Sequence, residues 1–141
     1  MKNQLFVFIL GLILVSCSIE DDDSPSFYTE IMPIESVTVP DHFVQGNTYE
    51  IEVSYMRPST CYQFYDFIYE VDGQERTIAV VNTVYNDSAC TDNVEEVTVS
   101  YDFTVSGNGM YVFKFYQGAD DNGHDQYHLI EIPVVDERLI N

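Results

Sequence analysis

Two stretches of this 141-residue chain alternate apolar and polar side chains without a break. In TYEIEVSY, Tyr49, Ile51, Val53 and Tyr55 share one parity, and Glu50, Glu52 and Ser54 take the other. In VTVSYDFTV, Val97, Val99, Tyr101, Phe103 and Val105 oppose Thr98, Ser100, Asp102 and Thr104. Strict period-two patterning suits a strand with one dry face and one wet face, and it would smear apolar residues around a helix. The segments SVTVP, YQFYDFIYEV, RTIAVVNTVY, MYVFKFY and YHLIEIPVV bring the expected count to about seven strands. Turn chemistry separates them in QGN, RPS, VDGQE, SGNG and DDNGHD, and Asn122-Gly123 is a hairpin signal. Pro133 inside the last run predicts an edge or a bulge. The chain is therefore expected to be all-β, an antiparallel β-sandwich over residues 34–135.

The first residues read differently. Met1-Lys2 precedes an unbroken apolar run from Leu5 to Val15. That run is too short to cross a bilayer as a helix, which takes about 20 residues. It fits the apolar region of a secretory signal peptide, assigned to residues 1–16. Leu14-Val15-Ser16-Cys17 resembles a bacterial lipobox. The resemblance implies that the Cys17 thiol takes a diacylglyceryl group and that the chain is a lipoprotein carrying fatty acid such as palmitate. An ordinary signal peptide with an incidental cysteine is the other reading. Residues 17–33 then form a lipidated, acidic linker. Ser18 is not the aspartate that resembles an inner-membrane retention signal. The cluster Glu20, Asp21, Asp22 and Asp23 is similar to the export signal of Bacteroidota surface lipoproteins. These resemblances imply an outer-membrane lipoprotein of the cell envelope, exposed at the surface or held on the periplasmic leaflet. Residues 136–141 are a C-terminal tail.

Charge limits the partners. The chain carries −19 formally, and every one of its 24 acidic residues follows Cys17. Once Lys2 leaves with the signal, Arg57, Arg76, Lys114 and Arg138 are the basic residues that remain. Such a surface repels nucleic acid, whose phosphates require Lys and Arg. It also repels anionic lipid, so the expected membrane contact is the lipid anchor. Cys17 is consumed by that anchor, which leaves Cys61 and Cys90. In the oxidising compartment that an exported chain meets, the pair reads as a disulfide.

Gly109-Met110-Tyr111, in SGNGMYVFKFY, resembles the tyrosine corner of immunoglobulin-like domains. The resemblance implies an Ig-like sandwich. Phe113 stands where antibody domains place a cysteine, and tryptophan is absent, so the likeness is one of architecture. Cys61–Cys90 would be a different bridge from the antibody one.

Few residues advertise chemistry. The loop GADDNGHDQYH gathers Asp120, Asp121 and Asp125, the carboxylates a calcium ion would use, yet the EF-hand spacing is not matched. A solvated hairpin tip accounts for them, and no metal or cofactor is expected. His124 and His128 would stand about 13 Å apart on a strand, too far to share zinc. No GxSxG and no phosphate loop occurs. The chain is read as a non-enzyme. Asp87-Ser88-Ala89 resembles the O-glycosylation site of Bacteroidota exported proteins, and an exposed loop explains it equally.

YQFYDFIYEV breaks the alternation, with aromatic residues on both parities. MYVFKFY does the same. If these strands and the last share a sheet, its outer face carries Phe64, Ile68, Met110, Val112, Tyr116, Tyr127 and Leu129. Such a patch marks a binding surface. A covering N-terminal stretch FYTEIMPI, or a bulge that shifts parity, would remove it. The expected function is a lipid-anchored binding module recognising a protein or glycan. The alternatives are a structural subunit of an envelope complex and, last, an enzyme. Accessory lipoproteins of glycan-uptake systems are similar in architecture.

Overall fold

The computed structural model describes residues 26–86 and 89–136. The signal run, Cys17, the acidic cluster, Asp87, Ser88 and residues 137–141 lie outside the described residues. Nine strands occur among the described residues, and no helix does. They run β1 (Phe27–Met32), β2 (Ile34–Thr38), β3 (Phe43–Val44), β4 (Thr48–Arg57) and β5 (Tyr62–Asp72). Then follow β6 (Glu75–Tyr85), β7 (Glu95–Thr104), β8 (Met110–Ala119) and β9 (Asp125–Val135). Two sheets form a β-sandwich, the all-β architecture that the alternation predicts and that the tyrosine-corner resemblance implies to be Ig-like.

The smaller sheet has the order β2-β4-β7, all antiparallel. Its inward rows are the two alternating stretches: Ile51 pairs with Tyr101, Val53 with Val99 and Tyr55 with Val97. In the larger sheet β6 is central. One of its edges pairs with β5 along almost its whole length. Its other edge pairs first with β8, in parallel over Glu75–Ile78, and then with β1, antiparallel. β9 follows β8, and the two-residue β3 closes the sheet in parallel against Val134 and Val135. β5, β8 and β9 do share a sheet, but β6 separates β5 from β8.

β1 lies in the stretch assigned to the linker, so among the described residues the sandwich begins at Phe27. Proline has no backbone N–H to continue a ladder. The chain uses Pro33 to leave the larger sheet and enter the smaller one, and the flanking Met32 and Ile34 both enter the core.

That core is aromatic. Phe43 is fully buried, with Tyr49, Phe103, Tyr111 and Phe113 rings at 4.9–5.9 Å. The tyrosine corner forms: Gly107 N–H donates to Tyr111 Oη at 2.9 Å, and Gly109 takes φ +104°. Burial pushes the Tyr111 hydroxyl up, but hydrogen bonds from Ser106 and Gly107 and the nearby Arg76 charge outweigh it, so its pKa falls below the usual tyrosine value.

Cys61 and Cys90 are joined, with Cα atoms 5.4 Å apart. Thr60 N–H donates to Thr91 O, and Thr91 N–H to Thr60 Oγ1, beside the bridge. The bond spans 29 residues and ties the start of β5 to the loop before β7. On the chain-entropy model such a loop stabilises by about 3.6 kcal/mol.

Candidate functional site

Two surfaces collect exposed aromatic residues, one on each face of the larger sheet. The outer face is set by cross-strand register. Val112 pairs with Glu131, Lys114 with Leu129 and Tyr116 with Tyr127. Phe113 and Phe115, between them, are fully buried, so this set points away from the core. Ile68 on β5 pairs with Ala79 on β6 and joins the same face. Six of the seven residues predicted for the patch are therefore on it: Ile68, Met110, Val112, Tyr116, Tyr127 and Leu129.

They do not form one continuous spot. Ile68, Tyr116 and Tyr127 meet in a shallow groove of about 200 Å³, together with Ala79, Thr77, Ile31 of β1 and the carboxylates Glu70 and Asp125. The Tyr116 and Tyr127 rings meet edge-on at 5.9 Å. Leu129 is 59% exposed beside the groove, while Met110 and Val112 lie farther along β8. Lys114 Nζ lies 3.8 Å from Glu75 and 5.3 Å from the Tyr127 ring centre, so its charge is neutralised there. β1 flanks the face without covering it and adds Ile31, at 45% exposure.

Phe64 is a correction. It pairs with Asn82, a residue of β6's inward row, whereas Ile68 pairs with Ala79 on the outward row. The register shifts between Phe64 and Asp66, leaving Tyr65 without a counterpart. A bulge of one extra residue inverts the parity of everything before it. Phe64, Phe67, Tyr69 and Val71 thus share the inner face.

Those inner-face residues overhang. β7 ends the smaller sheet, and no further strand among the described residues lies opposite β5. The result is an open cleft of about 500 Å³ between the β5 and β7 edges. Rings line it in a chain: Phe64 to Phe67 at 5.0 Å, Phe67 to Tyr101 at 5.3 Å and Tyr69 to Tyr101 at 5.8 Å. Arg76 forms part of its floor and is only 7% exposed. Its Nη1 donates to Gly73 O at 2.8 Å and Glu75 O at 2.7 Å. Its guanidinium carbon sits 5.1 Å from the Tyr111 ring centre and 5.8 Å from that of Phe103. No carboxylate among the described residues pairs with it. Burial pushes the Tyr101 hydroxyl well above the usual tyrosine value, Tyr69 adds to the rise and Arg76 opposes it. That hydroxyl is buried without a hydrogen-bond partner among the described residues.

This cleft was not foreseen. The signal was present in RTIAVVNTV, where alternation places Arg76 and Asn82 on the same row as Ile78 and Val80. Both are buried.

The acidic hairpin tip is organised by its own backbone. Asp120 Oδ1 accepts from Asn122 N–H and His124 N–H, both at 2.9 Å, which holds its carboxyl below the usual range. Gly123 takes φ +80° while Asn122 does not enter the left-handed region, so the loop is longer than a two-residue primed turn. No group of three metal-ligating side chains, Asp121 and Asp125 included, gathers among the described residues.

No curated protein matches this chain, and no solved structure does. A family model for the ORF11 beta-sandwich domain matches residues 51–129, more than half of the sequence. That span begins inside β4 and ends inside β9, and it contains both bridged cysteines, the groove residues of β5, β6, β8 and β9, and Arg76. The chain belongs to the ORF11 beta-sandwich domain family.

Proposed function

We propose that this β-sandwich is a lipid-anchored recognition module of the cell envelope, binding a protein or glycan. The observation that carries the reading is the outer-face groove. Ile31, Ile68, Tyr116 and Tyr127 come from four strands and leave apolar surface in water on an otherwise acidic protein. Exposed apolar patches are selected against unless they are used. Tyrosine suits the role because it offers a flat apolar ring with a polar tip.

The anchor follows from the lipobox resemblance at Cys17. Two or more acyl chains hold a protein stably, at about 0.8 kcal/mol per buried methylene. The acidic cluster after Cys17 supports display at the outer membrane of a Bacteroidota-type envelope.

Two variants test the reading. Cys17→Ala should abolish incorporation of labelled palmitate and release the chain from membranes. Equal labelling in wild type and variant defeats the anchor. The double variant Ile68→Ser with Tyr116→Ser should stay membrane-bound and melt close to wild type. It should lose the partner or glycan that the wild-type chain retains from native envelopes. Unchanged retention defeats the recognition surface.

A further inference from the structure

Arg76 is the most anomalous charge among the described residues. Arg57 pairs with Glu95, and Lys114 lies near Glu75. Arg76 is more deeply buried than either, yet it has no anionic partner among the described residues. Burying an unpaired cation is expensive. Two backbone carbonyls and two aromatic faces offset part of that cost without cancelling the charge. Both carbonyls bind through Nη1, and the remaining guanidinium donors face the cleft, where the exposed Tyr69 hydroxyl is their neighbour.

The surroundings narrow the ligand. A fork of N–H donors matches a carboxylate better than any other common anion of one charge. Phe67 and Tyr101 provide ring faces. Asp66 and Asp102 stand on the rim, where their carboxylates can accept from ligand hydroxyls. Tyr101 Oη is a buried orphan at the wall, so a ligand that displaced the exposed Tyr69 ring would give it a partner. A ring with an apolar face, several hydroxyls and one carboxylate satisfies every one of these groups.

We infer that the cleft between the β5 and β7 edges binds a carboxylated sugar of the uronic-acid type, with Arg76 holding the carboxylate and the β5 and β7 aromatic rings stacking on the pyranose. The site is separate from the outer-face groove and gives the recognition module a ligand class. An acidic peptide is disfavoured because it offers Arg76 a carboxylate but no rigid ring with an apolar face for Phe67 and Tyr101.

The test titrates the full-length chain, purified in detergent, with trigalacturonate, neutral galactotriose and triglutamate. Trigalacturonate should bind at least tenfold more tightly than either of the others. Arg76→Gln should remove that preference. Because Arg76 also clamps the β5–β6 turn, Tyr101→Phe provides a second route. It removes an unpartnered buried hydroxyl, so it should melt at or above the wild-type temperature while binding trigalacturonate at least threefold more weakly. Ile68→Ser with Tyr116→Ser should leave the titration unchanged, so the outer-face reading and this one fail separately. Equal binding of the three probes, no binding of trigalacturonate, or a Tyr101→Phe chain that binds as wild type overturns the inference.

Discussion

The two faces of the larger sheet expose similar side chains for different reasons. The outer face is bare because no second layer among the described residues covers it. Its cation is neutralised: Lys114 lies beside Glu75 and over the Tyr127 ring. The inner face is bare only at β5, because the smaller sheet stops at β7. There the cation is buried and keeps its charge. An apolar groove edged by the carboxylates Glu70 and Asp125 suits a broad contact with a polar or cationic rim. An open cleft over a guanidinium that lacks a carboxylate partner suits a ligand of defined charge. Exposure alone would have ranked Leu129, at 59%, above Arg76, at 7%. Charge balance reverses that order.

Stability measurements can break this contrast. The largest effect should come where cleft and core share a wall. Phe103→Ala, whose ring packs on Phe43, Tyr111 and Phe113, should cost about 3–5 kcal/mol in urea unfolding. Val71→Ala, on the same inner face but 60% exposed, should cost under about 1 kcal/mol. Equal costs would mean that the cleft is closed core.

Next comes the covalent tie between the start of β5 and the loop before β7. Replacing Cys61 and Cys90 together by Ser should cost about 3.6 kcal/mol and lower the melting temperature accordingly. An unchanged melting temperature would show that the ladder alone positions β5.

A pH titration should sharpen the comparison further. Burial, reinforced by Tyr28 and Glu30, pushes Tyr62 up to about 12, and burial also raises Tyr55 and Tyr101. A raised folded pKa means that the unfolded chain loses its proton first. The contribution is fully present below about pH 10 and disappears as pH rises through the folded value. Stability should therefore hold flat to about pH 10 and fall above it. Tyr101→Phe should flatten the fall.

The smallest effect belongs to the outer face itself. Ile68→Ser and Leu129→Ser should each shift stability by under about 1 kcal/mol, as surface substitutions do. Phe64→Ser should cost more than Ile68→Ser, because its ring packs on Phe67 beside the cleft. The reverse order would restore Phe64 to the outer face.

Much of the fold was legible because strands write their burial into every second residue. Tyr49, Ile51, Val53 and Tyr55 needed no partner to be placed, and they line the core. The Cys61–Cys90 bridge followed from counting, and the tyrosine corner from three residues. Six outer-face residues were legible for the same reason. Phe64 was not, because parity has meaning only relative to a paired strand, and the extra residue at Tyr65 becomes visible only against β6.

Local features are written in the residue order: which stretches are strands, which residues of each share a face, and which turns separate them. Which strands become neighbours is settled by packing of the whole chain. It placed β6 between β5 and β8, opened a cleft by making one sheet wider than the other, and sank Arg76 beneath aromatic rings without a carboxylate. The physical reason is that alternation is fixed by backbone geometry within a strand. Pairing order is fixed by the burial the whole chain can achieve, and no single strand carries that information.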